Sequence, residues 1–422
     1  MTTEWRVMFD LKNHNIPLRV VPVFLLGRSS ALKSKDRAEI ERETDEVLKR
    51  YGLRSRPKYL VKKEEELLKV RIKGVDGFVL FPLCAERFSP LIYLAETTLP
   101  IIIASEEENF SNALETYEYL ADHKNVVVAS GPDEVKRRVK ALEASKWMKN
   151  AKVCLFDMEP WTLKGTAWNR NPLIRGKLNT KAIDPEKFFD AYEKADNTRA
   201  ENLARKWMKE SEVLEPSFRD VVKSARLYIA MKAAIEGMKA DAGYVLWCGQ
   251  FTKKLGTKMC YALAKLAEDG YPVGCWRGEN LLPLLILHSI SDKPIFVWEA
   301  FTHKGDIVTF RHCFVPSTTA PRKSVLRNWR DMEGTVTAYT ELPRGEVTIV
   351  NCGLGDRLFV FKGEVVDCKD LGGDNCRMTI WVKMSSPESV RNFVGRECAM
   401  VYGDYVREAA EIGKILGLKV TS

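Results

Sequence analysis

The sequence predicts an α/β fold: two domains built on parallel sheets, followed by a β-rich, barrel-like C-terminal domain. Three observations predict it. From residue 18 short apolar runs alternate with longer amphipathic ones, and a second set of the same kind begins at residue 151. Beyond about residue 330 the texture changes to short β-branched and aromatic segments parted by glycine and proline. A chain of 422 residues exceeds the size at which a single core usually stops growing, so several domains are expected.

In the first set, "LRVVPVFLL" (18–26) reads as a buried strand and "DRAEIERETDEVLKRYG" (36–52) as a helix stopped by Gly52. "VDGFVLFPL" (75–83), "LPIIIA" (99–104) and "NVVVAS" (125–130) are strand-like, with helical patterns at 87–96, 108–122 and 132–147. The second set runs through "AKVCLFD" (151–157), a helix at 216–240, "AGYVLWC" (242–248), a helix at 257–268, "YPVGC" (271–275), a helix at 279–290 and "KPIFVWE" (293–299). Strands alternating with helices in this way argue for βαβ units, so both domains are expected to be Rossmann-like. "GTVTAYTEL", "GEVTIVNC", "RLFVFKGEVV" and "CRMTIWVKM" then form the β-rich part, closed by the helix "DYVREAAEIGKILGL" (404–418). The expected domains are 1–150, 151–330 and 331–422.

The net charge of +9, from 66 basic and 57 acidic residues, is mild for this length. Bases and acids interleave on apparent helices, which reads as solvated helix faces and argues against a nucleic-acid partner. Ten cysteines are scattered, none spaced C-x-x-C, and most lie in apolar runs, as reduced cysteines do. Residues 1–17 show no signal-peptide pattern and no stretch approaches the ~20 apolar residues of a membrane span. The expectation is a cytoplasmic protein with no membrane partner. There is no nucleophile elbow, phosphate-binding P-loop or H-E-x-x-H motif.

In open parallel sheets ligands collect beyond the carboxyl ends of strands. The second domain is loaded there: Asp157 and Glu159 with "PWTLKGTAWNR", then "CGQFTKKLGTK", "CWRGEN" and Glu299. Glu299 ends an apolar strand, so it must be paired, hydrated or metal-bound. His312, beside Cys313, reads alone as a satisfied core histidine, and Glu279 alone as a dipole-favoured acid in a first helical turn. Together Glu279, Glu299 and His312 are hard oxygen and imidazole donors, suited to Mn²⁺ or Mg²⁺. Lys253, Lys254 and Lys258 near a helix start read first as an exposed basic turn and second as a greeting for an acidic or phosphorylated sugar.

"VLWCGQFTKKLGTKMCYALAKLAEDGYPVGC" and "GENLLPLLILHSISDKPIFVWE" resemble the core of the L-fucose isomerase and L-arabinose isomerase superfamily, as do "RHC" and "GRECAMVYGDYVREAAEIGKILGLKV". The resemblance covers roughly residues 150–422. It implies Mn²⁺-dependent aldose–ketose isomerisation in a homo-oligomer, a trimer or commonly a hexamer, with sites near subunit interfaces. The family's second acid falls on Glu299 and its histidine on His312; its first acid falls on Glu279 with a small local shift, or else Arg277 takes that place. Where the family has Gly-Asn-His this chain has Gly395-Arg396-Glu397, so Glu397 is the remaining candidate ligand. On this reading Glu279 and Glu299 are catalytic, and Glu279, Glu299, His312 and Glu397 hold the metal. Arg277 and Lys258 contact the sugar, with Trp161, Trp168 and Trp276 as apolar walls that singly read as core. The rival readings are a catalytically altered sugar- or metal-binding member of the superfamily, and a lyase or other enolising enzyme on the same scaffold.

Overall fold

A computed structural model describes residues 18–422 except 28–31, 33–34, 55–56, 85–87, 158–177, 247–248, 277, 353–355 and 394. The described residues divide into two compact units at Lys146/Trp147. The fold is mixed α/β, with two parallel sheets and a closed six-stranded barrel in the C-terminal region.

The first unit is one five-stranded parallel sheet with interleaved helices. Its strands are β1 (Val20–Leu25), β2 (Tyr59–Val61), β3 (Gly77–Pro82), β4 (Ile101–Ser105) and β5 (Val126–Ser130), in the spatial order 2-1-3-4-5. The order reverses direction between β1 and β3, as doubly wound sheets do. β3 is buried along its whole length and β4 likewise, which is why both read as unbroken apolar runs. The helix Arg37–Arg50 begins where Asp36 accepts a hydrogen bond from the Glu39 N–H (2.8 Å), and Gly52 at φ +66° turns the chain away.

The second unit opens on β6 (Lys152–Asp157), β7 (Asn179–Ala182), β8 (Glu212–Val213), β9 (Ala242–Leu246) and β10 (Val273–Trp276). β10, β9, β6 and β7 pair in that order as a parallel sheet, with the long helix Phe218–Gly237 between β8 and β9. That helix starts on a capping box in which Ser217 and Asp220 satisfy each other's backbone N–H.

The chain then enters the barrel through β11 (Phe296–Lys304) and β12 (Ile307–His312). β13 (Val325–Trp329) and β14 (Met332–Tyr339) form a hairpin that joins β8 in a small separate sheet. β15 (Gly345–Cys352), β16 (Arg357–Lys369), β17 (Met378–Met384) and β18 (Glu397–Tyr402) complete the barrel, and β19 (Lys419–Thr421) pairs parallel with β16. Around the barrel the order is β15-β18-β11-β12-β17-β16, closed by the β15–β16 pair. Its interior is apolar, filled by Phe296, Trp298, Phe310, Ile349, Phe361, Ile380 and Met400 among others.

One placement differs from the sequence reading. β11 was expected to continue the central parallel set, yet it pairs antiparallel with β12 and β18. The cause is local. Gly305 at φ +61° and Asp306 make a two-residue turn, and such a turn joins antiparallel neighbours only. Glu299 therefore does not stand on the sheet edge shared by the ends of β6, β9 and β10.

The helix Leu281–Ile290 leads into β11 and is apolar on nearly every side. His288 is its exception, tilted against Trp147 with ring centroids 5.6 Å apart. Burial pushes its imidazole down from the usual 6.5 to about 4. Above pH 6.5 the folded and unfolded chains both hold it neutral. As pH falls from 6.5 toward 4 only the unfolded chain takes up the proton, so stability is lost across that window. With its ring partly accessible, a loss of about 2 kcal/mol by pH 4 is expected from this group. Urea midpoints from pH 7 to 4 should show it, and His288→Phe should flatten that part of the slope. Among the described residues no helix is long and apolar enough to cross a membrane.

Candidate functional site

The site is built from the turn after β10 and from the rims of β11, β12 and β18. Tyr244, wholly buried in β9, reaches across to β10, where residue 274 is glycine. A Cβ there would lie 2.9 Å from Cε2 of the Tyr244 ring. The Tyr244 hydroxyl accepts from the Gly278 N–H (3.0 Å) and lies 2.7 Å from Asn280 Oδ1 and 3.0 Å from the Cys275 carbonyl. Asn280 Nδ2 donates to the same carbonyl (3.3 Å), and the Tyr244 hydroxyl makes its shorter contact with Asn280 Oδ1. Burial first, then the charge of Glu397, holds the phenol well above its ordinary range, so it stays protonated.

These bonds pin both ends of the 275–280 turn, and between them Trp276 sits at φ +101°, beside Gly278 at φ +90°. For a bulky side chain this is strained backbone, costing about 1–3 kcal/mol. Such strain persists only where the surroundings over-determine it, and here the Tyr244 network does so. The turn delivers Glu279 to Gly395: a Cβ on Gly395 would meet Glu279 Oε2 at 2.6 Å, and at φ +75° residue 395 favours glycine on backbone grounds too.

On the barrel side Glu299 of β11 lies directly opposite Glu397 of β18 and opposite Arg311 of β12. Like charges facing each other across a strand pair are destabilising unless offset. Arg396 provides the offset through an ion pair with Glu299, while Arg311 stacks over the Phe301 ring at 3.8 Å. Glu397 itself is 1% exposed. Pleating turns Trp298, Phe310 and Cys398 to the barrel interior, and His312 follows Phe310 to that face, opposite to the carboxylates. His312 is buried, with Nδ1 3.4 Å from the Phe314 carbonyl and Nε2 3.8 Å from Cys275 Sγ. The carbonyl requires Nδ1–H, which leaves the Nε2 lone pair facing the thiol. Burial lowers its pKa against the opposing charge of Glu299, so the imidazole is neutral at pH 7.

Of the residues singled out in the sequence, Glu279, Glu299, Glu397 and His312 thus lie around Tyr244, Cys275 and Gly395. Among the described residues no three His, Cys, Asp or Glu side chains form a group that could hold a metal ion. Trp276 is at the site and partly buried. Trp161, Trp168, Glu159 and Arg277 lie outside the described residues. Lys253 and Lys254 are exposed, as a basic turn would be. Lys258 is not: it is 6% exposed, its ammonium 4.0 Å from the centre of the Trp329 ring.

Several residues at the site carry no clear sequence signal. Tyr244 lies inside an apolar strand and reads as core, and Trp329 and Arg330 lie in a polar hairpin. Trp329 donates its indole N–H to Cys313 Sγ (3.0 Å), and Cys313 Sγ is 3.4 Å from Cys376 Sγ. Arg330 stacks over the Trp329 ring at 4.8 Å. Arg396 is the one with a sequence signal, visible as a departure from the Gly-Asn-His pattern. The chain matches no protein-family model and no curated protein.

Proposed function

We propose that the protein is a metal-dependent aldose–ketose isomerase working through an ene-diol, with carboxylates as general acid and base. The observation that carries the reading is the opposition of Glu299 and Glu397 across β11 and β18, with the Glu279 carboxylate against Gly395. The donor chemistry fits the cofactor: carboxylate oxygens are what Mn²⁺ or Mg²⁺ takes. Glu279, Glu299 and Glu397 would hold the ion; His312, expected from the sequence as a fourth ligand, faces the barrel interior, away from them, and Arg396 pairs with Glu299. A bound Mn²⁺ would polarise the carbonyl and neighbouring hydroxyl of an open-chain sugar. Of Glu279 and Glu299, one removes the proton from the carbon bearing that hydroxyl while the carbonyl oxygen takes up a proton, giving the ene-diol. The hydroxyl then loses its proton to become the new carbonyl as the other or the same carboxyl group returns a proton to the former carbonyl carbon. Tyr244, neutral and fully bonded, positions the turn that carries Glu279 and takes no part in proton transfer.

One observation favours a second reading, a sugar- or metal-binding member without turnover: Glu299 is already neutralised by Arg396. A homo-oligomer (trimer or hexamer), a cytoplasmic location and a Rossmann-like character for both parallel sheets belong to the same proposal. Metal content after purification, then incubation with Mn²⁺ and a panel of aldoses, separates the two readings. Ketose formation supports the isomerase. Metal or sugar bound without any ketose supports the second reading, and no ketose with no metal retained sinks the first.

A further inference from the structure

The helix Cys260–Glu268 opens on Met259, which gives it no side-chain cap. Its first intrahelical donation is from the Leu263 N–H to the Met259 carbonyl (2.9 Å), so the N–H groups ahead of it have no partner within the helix. Just before this start stand two side chains whose polar groups are poorly provided for. Thr257 is fully buried, and its Oγ1 has no hydrogen-bond partner among the described residues. Lys258 is more than nine-tenths buried, with no carboxylate within ion-pair distance among the described residues and only the Trp329 ring beneath its ammonium.

Burying a hydroxyl without a partner, or an ammonium without a counter-charge, is costly, and a cation–π contact does not replace an anion. Arg330 lies over the same indole and likewise has no carboxylate within ion-pair distance among the described residues. Two cations therefore lie over one ring, Arg330 also donating to Cys376 Sγ (3.7 Å). Their position relative to the helix is fixed by a short relay. The Trp329 indole N–H bonds to Cys313 Sγ, and the Cys313 thiol is hydrogen-bonded to Cys260, the first residue of the helix. Cys313 follows His312 in the chain, so this group adjoins the site described above.

We propose that Thr257, Lys258 and the first N–H groups of the helix Cys260–Glu268 form a receptor for a tetrahedral oxyanion, and that the substrate of this site is a sugar phosphate. A phosphate monoester has three oxygens for three kinds of donor: backbone N–H at a helix N-terminus, a hydroxyl and an ammonium. Arg330 adds long-range charge from the rim. The substrate half of this inference rests on the aldose–ketose reading; the anion receptor does not.

The test is calorimetric titration of the full-length chain with inorganic phosphate, and with acetate as the carboxylate control. Saturable phosphate binding is expected, weakened roughly tenfold or more in Lys258→Met and in Thr257→Val, because a charge-assisted hydrogen bond is lost in each. Thr257→Ser keeps the hydroxyl and should keep the affinity, which guards against a variant that merely fails to fold; circular dichroism checks each protein. No saturable phosphate binding by the unaltered chain, or unchanged binding in Lys258→Met, overturns the receptor. Acetate binding as tightly as phosphate overturns the assignment to a phosphate ester. Lys258-dependent phosphate binding with no ketose from any sugar or sugar phosphate removes the isomerase reading and leaves the receptor standing. Ketose formed from neutral aldoses, and no more efficiently from their phosphates, removes the sugar-phosphate assignment and leaves the isomerase.

Discussion

Glu299→Gln should lower aldose–ketose turnover by about a hundredfold to ten-thousandfold, the range a positioned general acid or base contributes, while the protein remains folded. The substitution keeps the shape of the side chain and removes only its charge. The fold should tolerate it because Glu299 sits at the rim of the barrel, its side chain 23% exposed, and its partner Arg396 is 57% exposed. Ion pairs this open to water contribute about 0–1 kcal/mol. The measurement is ketose formation in Mn²⁺ together with a melting curve. Full activity in the variant would move the chemistry away from Glu299, and a large drop in melting temperature would make the ion pair structural.

Trp298→Ala should be the most damaging single change to stability, about 3–5 kcal/mol from the loss of a fully buried aromatic side chain and the cavity it leaves. Trp298 faces the barrel interior and packs edge-to-face on Phe296, with centroids 6.4 Å apart. Its indole Nε1 is buried with no hydrogen-bond partner among the described residues. Trp298→Phe should therefore cost much less than the alanine variant, since it fills most of the volume and removes an unsatisfied donor. Urea midpoints of the two variants check the ordering, and equal losses would mean that volume is not what Trp298 supplies.

Much of the layering was legible because burial on both faces leaves an unbroken apolar run. "VDGFVLFPL" became β3 and "LPIIIA" became β4 within two residues. The same property hid the placement of β11. In Ile295–Trp298 every side chain is apolar, and a strand of that kind reads alike in a parallel sheet and in a closed barrel. Only the Gly305–Asp306 turn distinguishes them.

At the site, Glu299 and His312 stood out because polar groups end apolar runs, but their facing was not legible. His312 is one residue past the partner of Glu299, and one residue changes the face. Glu279 could be tied to Gly395 only in three dimensions. Lys258 looked like Lys253 and Lys254, because the indole that covers it comes from the distant strand β13.

β18 is the last barrel strand to appear in the chain, yet it lies between β15 and β11. Until it inserts, both neighbours present open edges and Glu397 has no place opposite Glu299. Closing the barrel and setting Glu397 opposite Glu299 are thus one and the same pairing. A chain lacking β18 would leave β11 and β15 without their shared neighbour and Glu299 without its opposing carboxylate.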